Sequence, residues 1–261
     1  MFNLQGKTAI VTGSTFGIGL GILRVLAQAG ANAVMNGRRQ PEQLETELNA
    51  LSQFENRAIF EAADVTKTDD RKRLVSRAIE EFGRFDILVN NAGSMFDSDW
   101  DSLDEDTCRR TLDLNVTGML MMAKLAIDHL RAEKKGGSIV NVASVNSFMA
   151  EPHSICYDTS KGAILMMTRS LAVETFKDNI NVNCLCPGLV DTPLTRSLLA
   201  GDEAFKKVGE AVPNGRWCTI EECGYPVLYM VSDEGRYMTG QSLILDGGIL
   251  AVQGTLVGES R

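Results

Sequence analysis

The sequence has two histidines, His129 and His153, and no CxxC pair among its six cysteines. That removes the usual zinc ligand sets, so no metal site is expected. Cys108, Cys156, Cys184, Cys186, Cys218 and Cys223 could pair as three disulfides. A chain able to bury a large core of its own does not need them, and reduced thiols in a cytoplasm are the expectation. The six prolines are scattered, and no linker, repeat or low-complexity run marks a domain boundary. Basic residues are in deficit, 26 Lys and Arg against 34 Asp and Glu, for a net charge of −8. This excludes the clustered basic surface that nucleic acid requires and gives no attraction to an anionic membrane. No stretch approaches the roughly 20 apolar residues of a membrane span. The opening MFNLQGKTAIVTG lacks a basic segment followed by an apolar core, so no signal peptide is expected. What is present is ordinary globular composition: 261 residues, 44% hydrophobic and 23% charged. The expectation is one domain over residues 1–261.

Apolar runs alternate with amphipathic stretches. Strands are expected at Lys7–Thr12, Asn32–Asn36, Arg57–Glu61, Phe85–Val89, Ser138–Val142, Ile180–Cys184 and Ser242–Leu245. Helices are expected at Ile18–Ala29, closed by Gly30, and at Pro41–Ser52, with proline in the first turn. Further helices are expected at Asp69–Phe82, at Cys156–Phe176, near Thr219–Val231, and as one long region over Asp104–Lys134. The acidic stretch Asp97–Asp106 reads as a solvated loop leading into that long helix. Alternating β and α with Val/Ile-rich strands implies an α/β fold: a doubly wound, Rossmann-type parallel sheet of about seven strands, with helices on both faces. Ligands bind such sheets beyond the carboxyl ends of the strands.

Gly13-Ser14-Thr15-Phe16-Gly17-Ile18-Gly19 joins the first strand to the first helix. Glycines let the backbone turn tightly and approach a pyrophosphate, and the helix N-terminus offers that anion free N–H groups. The spacing is GxxxGxG and not GxGxxG. A glycine cluster alone also serves ordinary turns; its place at the first strand–helix junction gives it weight.

At this point the chain resembles the short-chain dehydrogenase/reductase family, from about residue 4 to residue 248. The motifs are TGxxxGIG at 12–19, Asn90-Asn91-Ala92-Gly93, Asn115, Ser144, Tyr157 with Lys161, Pro187-Gly188, and Asp246-Gly247-Gly248. They fall in order, each at the fitting end of its element. Within the family, TGSTFGIGLGI and ANAVMNG are most similar to 3-hydroxybutyrate dehydrogenase-like and 3-oxoacyl reductase-like members. The resemblance implies hydride transfer between NADP(H) or NAD(H) and a secondary alcohol or ketone by an Asn115–Ser144–Tyr157–Lys161 tetrad. It implies cofactor contacts along the turn, at Asp64 and Val65 (adenine), at Asn91, Ala92 and Gly93, and at Pro187, Gly188, Val190 and Thr192. It also implies a substrate lid near 189–217 and a homotetramer whose main interface uses the long helix and the one after it.

The residue chemistry agrees. A tyrosine with an ordinary pKa of about 10 needs help to act as a base at neutral pH. Lys161, four residues on, shares its helix face, and a nearby ammonium favours phenolate. Ser144 would donate to the substrate oxygen where charge develops, and Asn115 would hold a water linking the lysine to solvent. Taken alone, Tyr157 and Lys161 would read as an ordinary surface pair. Asn90 reads as structural, and Asp64 could equally be a turn cap. The methionines at 119, 121, 122, 166 and 167 read as core or subunit packing. Cys156, Cys184 and Cys186 read as inert thiols, and His153 as a loop residue or a substrate contact.

At the end of the second strand, NAD-preferring enzymes place an acid for the ribose 2′-hydroxyl. Here that position is Gly37, followed by Arg38 and Arg39, whose guanidiniums suit a 2′-phosphate. NADP(H) is therefore the expectation, with NAD(H) the alternative. Phe16 stands where many NADP-dependent members carry a base, and the arginines could be plain solvated charges. The 3-hydroxybutyrate enzymes hold the carboxylate with a glutamine, a histidine and a lysine. The matching positions here carry Ser94 or Met95, Asn146 and Ser154. A neutral polar or cyclic substrate is expected instead. Two other functions stand against the dehydrogenase. A catalytically silent nucleotide-binding regulator would show a damaged tetrad, and a nucleotide-sugar epimerase or dehydratase would show TGxxGxxG and a longer C-terminal region. This chain shows neither signature.

Overall fold

The computed structural model describes residues 2–54, 56–96 and 99–252. Residues 97–98 of the acidic stretch and 253–261 of the C-terminal tail lie outside them. Seven strands form one parallel sheet: β1 Thr8–Val11, β2 Asn32–Gly37, β3 Ala58–Ala62, β4 Ile87–Asn90, β5 Gly137–Val142, β6 Ile180–Pro187 and β7 Ser242–Leu245. Their order is β3-β2-β1-β4-β5-β6-β7. The chain starts mid-sheet, winds outward to β3, and returns to continue from β4 on the other side of β1. The loops after β1 and β4 thus diverge and leave a crevice at their carboxyl ends.

Helices cover both faces. On one side α1 (Gly17–Gln28) and α9 (Gly224–Val231) pack Leu23 and Leu26 with Val227 and Met230. On the other, α3 (Thr68–Phe82) and α5 (Met119–Glu133) pack Leu74, Met122 and Ala126. Alongside them α6 (Ile155–Thr175) buries Ile164 and Met167 against β6. Each fully buried leucine stabilises the fold by roughly 1.5–3 kcal/mol, which is why both faces of every central strand are apolar. Met119, Met122 and Met167 are core residues as expected, whereas Met166 stands exposed.

Three elements depart from the sequence reading. The second helix, α2, starts at Leu44 and not at Pro41. Pro41 forms a preceding turn in which its carbonyl accepts from the Leu44 N–H. β6 runs three residues past Cys184, because Cys184–Pro187 pairs with all of β7. The region Asp104–Lys134 is not one regular helix. It is α4 (Glu105–Leu112), capped by the Asp104 side chain on the Thr107 N–H, then a π-helical turn at Asp113–Gly118, then α5. Between β6 and α9 lie two short helices, α7 (Pro193–Ser197) and α8 (Asp202–Ala211).

Candidate active site

The turn after β1 is built so that no side chain fills it. Gly13 has φ +62, and a Cβ there would lie 2.9 Å from Ala92 Cα. Gly17 has φ +59, a left-handed conformation that favours glycine. A Cβ on Gly19 would collide with the Asn91 side chain and the Gly13 carbonyl. Phe16 precedes α1 with its ring 58% exposed, and no side chain caps the N–H groups of the first turn. A glycine cradle facing an uncapped helix N-terminus fits the pyrophosphate of a dinucleotide.

Other segments close around this cradle. The Asn91 side chain donates to the Thr12 and Gly13 carbonyls, each at 2.9 Å. The Thr12 hydroxyl accepts from the Asn91 and Ala92 N–H groups, each at 3.0 Å. Asn90 pins β4 to β5, donating to Asn141 Oδ1 at 3.0 Å, as its structural reading requires. After β6, Pro187 and Gly188 lead through buried Val190 to Thr192, whose Cγ2 lies 3.5 Å from the Cβ position of Gly17. Asp64 and Val65 follow β3. The Asp64 carboxylate accepts from the Thr66 N–H and hydroxyl, so its side chain is a turn cap. Arg38 and Arg39 are exposed at the end of β2, and among the described residues neither has a hydrogen-bond or ion-pair partner.

The tetrad converges at the carboxyl ends of β4 and β5. Ser144 follows β5 and lies beside the Tyr157 phenol of α6. Lys161 is buried one turn on, its Nζ 3.1 Å from the Val142 carbonyl and 5.3 Å from the centre of the Tyr157 ring. Asn115 sits wholly buried in the π turn. Its Nδ2 donates to the Ser94 carbonyl at 2.9 Å and the Ser160 hydroxyl at 3.0 Å, and its Oδ1 accepts from the Ser94 N–H. The Asn115 side chain is thus spent on protein partners and joins three segments. π turns change the register of helix carbonyls and recur at functional sites.

The electrostatics correct one expectation. Burial pushes the Tyr157 phenol up to about 12, with Glu151 and Asp158 adding to the rise and the Ser144 hydrogen bond opposing it. Burial also pulls the Lys161 ammonium down to about 8. Proximity of Lys161 does not lower the tyrosine pKa here, because desolvation outweighs the other contributions. Cys184 and Cys186, with Sγ atoms 3.7 Å apart on β6, adjoin Lys161. Cys156 touches Cys108 of α4 at 3.1 Å, and burial raises its thiol to about 11, which keeps it protonated and inert at neutral pH. His153 is an exposed loop residue with Nδ1 3.0 Å from Asp99.

Sequence reasoning missed Asn36 and Ser160, and it weighed Asn146 only as a substrate position. Asn36 is 1% exposed; its Oδ1 accepts from the Gly13 N–H at 3.2 Å, and its Nδ2 donates to the Glu61 and Ala63 carbonyls. It suspends the turn from β2 and β3. A polar residue inside an apolar strand was the available signal.

The comparisons with known proteins agree with this geometry. The profile described as "Enoyl-(Acyl carrier protein) reductase" matches residues 13–250. The chain belongs to the short-chain dehydrogenase/reductase family. It is an NAD(P)-dependent oxidoreductase acting on CH–OH groups. The 2-dehydro-3-deoxy-D-gluconate 5-dehydrogenase of Escherichia coli (strain K12) is 35% identical over 96% of this chain and 98% of that protein. The D-beta-hydroxybutyrate dehydrogenase of Rhizobium meliloti (strain 1021) is 32% identical over 93% of this chain and 98% of that one. The crystal structure of a gluconate 5-dehydrogenase from Burkholderia cenocepacia J2315, in complex with NADP and tartrate, superposes with a TM-score of 0.87. It is 30% identical, covering 97% of this chain and 98% of that one. Among the described residues no helix is long and apolar enough to cross a membrane.

Proposed function

We propose that this member of the family is an NADP(H)-preferring dehydrogenase or reductase of a neutral polar or cyclic secondary alcohol or ketone, with NAD(H) as the alternative cofactor. The observation that carries the catalytic assignment is the convergence of Ser144, Tyr157 and Lys161 beside the glycine cradle. When bound, the dinucleotide supplies or accepts the hydride. Gly13, Ser14, Thr15, Phe16, Gly17, Ile18 and Gly19 would hold its pyrophosphate, and Asp64, Val65, Asn91, Ala92 and Gly93 its adenosine half. Pro187, Gly188, Val190 and Thr192 would flank the nicotinamide end together with Tyr157 and Lys161.

Tyr157 takes the alcohol proton in oxidation and returns it in reduction. Ser144 donates a hydrogen bond to the reacting oxygen. Lys161 supplies positive charge behind the phenol, and a bound cofactor cation near Tyr157 would favour phenolate further. Asn115, its side chain engaged, would offer the lysine-to-solvent water only the backbone of its π turn. The segment 189–217 would act as the substrate lid.

Two observations support the cofactor preference. Among the described residues, Arg38 and Arg39 have no hydrogen-bond or ion-pair partner at the end of β2. A Cβ at Gly37 would lie 2.7 Å from Thr15 Cγ2, so the acid of NAD enzymes would crowd that side chain. The substrate class rests on charge: Glu151 and Asp158 lie near Tyr157, and the positions that hold the carboxylate in 3-hydroxybutyrate enzymes carry the uncharged Ser94 or Met95, Asn146 and Ser154. A carboxylate substrate would meet repulsion there. Exposed Met166 and Val173 on α6, with Phe176 just after it, support assembly as a homotetramer. The free cysteines fit a reducing cytoplasm.

The test is kcat/KM for NADP(H) and NAD(H) against a panel of polyols, cyclic alcohols, ketones and 3-hydroxy acids, in wild type and Arg38→Ala. Wild type should favour NADP(H), and Arg38→Ala should lower the NADP(H)/NAD(H) ratio. A wild-type preference for NAD(H), or an unchanged ratio, overturns the cofactor reading.

A further inference from the structure

Ser144 does not stand alone in this chain. Its Oγ lies 3.2 Å from the Asn146 N–H, from which it accepts, and 3.2 Å from Asn146 Oδ1, to which it donates. Asn146 is buried, and the far end of its amide faces two carboxylates. Nδ2 donates to Asp158 Oδ1 at 2.8 Å and to Glu151 Oε2 at 3.2 Å. Those two acceptors settle the amide's orientation, because Oδ1 placed against them would set three acceptor oxygens together. Oδ1 is therefore held toward Ser144. Asp158 also accepts the Glu151 N–H at 3.1 Å, which ties segment 145–151 onto α6 one residue after Tyr157.

We infer that Asn146, anchored by Asp158, is a positioning residue that sets the direction of the Ser144 hydroxyl for the reaction. The inference rests on the catalytic reading of Ser144 and Tyr157 above. The chemistry is one of proton placement, with no bond to carbon involved. With its proton on Asn146 Oδ1, Ser144 is held in one orientation beside the Tyr157 phenol before substrate arrives. When a substrate oxygen enters, a modest rotation carries the Ser144 proton from Oδ1 to that oxygen, while the Asn146 N–H keeps the Oγ in place. The amide holds Ser144 from both sides and leaves it one choice of partner.

The placement has a second consequence. Asp158 and Glu151 are kept close to Tyr157 because Asn146 gives them a shared donor. Without it the two carboxylates would repel one another and turn toward water. The same amide thus orients the serine and retains the local negative charge. Nothing else in segment 145–151 offers Ser144 an acceptor of fixed direction among the hydrogen bonds described.

The experiment compares wild type with Asn146→Ala, Asp158→Ala, the swap Asn146→Asp/Asp158→Asn, and Tyr157→Phe as reference. For each, kcat, substrate KM, cofactor Kd and Tm are measured with the best substrate of the panel. Asn146→Ala should lower kcat about tenfold, the size of one net hydrogen bond. Cofactor Kd should stay within twofold, since Asn146 bonds Ser144, Glu151 and Asp158 and none of the residues assigned to the cofactor. Asp158→Ala leaves Asn146 in place but unanchored and should lower kcat several-fold with substrate KM little changed. The swap restores a donor–acceptor pair between positions 146 and 158 and keeps an acceptor facing Ser144, so kcat should recover most of the loss. Wild-type kcat in Asn146→Ala overturns the inference. Should that variant not fold, wild-type kcat in Asp158→Ala overturns it equally. A swap that folds and binds cofactor yet stays as slow as Asn146→Ala also overturns it, since the loss would then come from packing. Near wild-type kcat in Tyr157→Phe would instead bring down the underlying catalytic reading, a result separate from all of these.

Discussion

Lys161 lies with its Nζ 5.3 Å from the centre of the Tyr157 ring, bonded to the Val142 carbonyl and buried. Burial moves the two groups in opposite directions, the lysine down to about 8 and the tyrosine up to about 12. Both shifts favour the neutral form. At neutral pH the ammonium is present but the phenol stays protonated, so binding of cofactor and substrate must favour the phenolate that oxidation of an alcohol requires.

That pair gives a pH dependence of stability. Below pH 8 Lys161 is protonated in folded and unfolded chains alike, so the folded state carries the full desolvation penalty. The drop from 10.5 to about 8 corresponds to about 3 kcal/mol. The penalty is relieved as pH rises from 8 toward 10.5. Tyr157 acts in the opposite sense at higher pH: its stabilising preference for the neutral form is complete below 10 and is lost between 10 and 12. Denaturant unfolding at pH 7, 9 and 10.5 should show Lys161→Met more stable than wild type at pH 7, with the gap closing by pH 10.5. A gap constant with pH would contradict this.

Tyr157→Phe removes the hydroxyl beside Ser144 while keeping the ring under Lys161. Turnover should fall by roughly 10²–10⁴-fold, the usual scale of acid–base catalysis. Cofactor affinity, read by fluorescence titration, should be retained. Near wild-type kcat would remove the tyrosine from the mechanism.

Gly37→Asp installs the acid of NAD enzymes against Thr15, whose Cγ2 would lie 2.7 Å from the new Cβ. The overpacking should lower stability by roughly 1–3 kcal/mol while moving preference toward NAD(H). Adding Thr15→Ser removes that methyl and should restore part of the stability without reversing the cofactor shift. Chemical denaturation and the kcat/KM ratio check the two halves independently.

Asn36→Ala strips the Gly13 N–H of its acceptor and the Glu61 and Ala63 carbonyls of a donor. Buried groups left without partners cost roughly 1–3 kcal/mol each, so a Tm drop of several degrees is expected. Cofactor KM should rise about tenfold, with kcat at saturation close to wild type. A lower kcat with unchanged cofactor KM would place Asn36 in the chemistry and not in the turn.

Carboxylate substrates should be poor. With Glu151 and Asp158 beside Tyr157, kcat/KM for 3-hydroxybutyrate should fall well below that for neutral cyclic alcohols, and the deficit should shrink in Glu151→Gln. Efficient turnover of 3-hydroxybutyrate by wild type would refute the substrate class.

The strands and the glycine turn were legible in the sequence because each is announced locally, and the candidate tetrad positions were legible through the ordered family motifs. Val/Ile runs bounded by glycine mark strands, and Tyr157 and Lys161 share a helix face through spacing alone. The register of α4 and α5 was not legible. The helical pattern runs through Asp113–Gly118 without a break, and the π turn appears where Asn115 is held by Ser94 and Ser160, 21 and 45 residues away.

The sequence by itself therefore determined the fold class, through the periodicity of its elements, and the family, through the ordered motifs whose resemblance implies the dinucleotide and the candidate side chains Ser144, Tyr157 and Lys161. Only the tertiary structure decided what surrounds those side chains. The amide of Asn146 meets Ser144 and Asp158 because segment 145–151 folds back onto α6. Asn36 reaches Gly13 because β2 lies beside β1. The sign of the Tyr157 shift came from the depth of its burial, and burial belongs to the packed assembly of elements and not to any one of them.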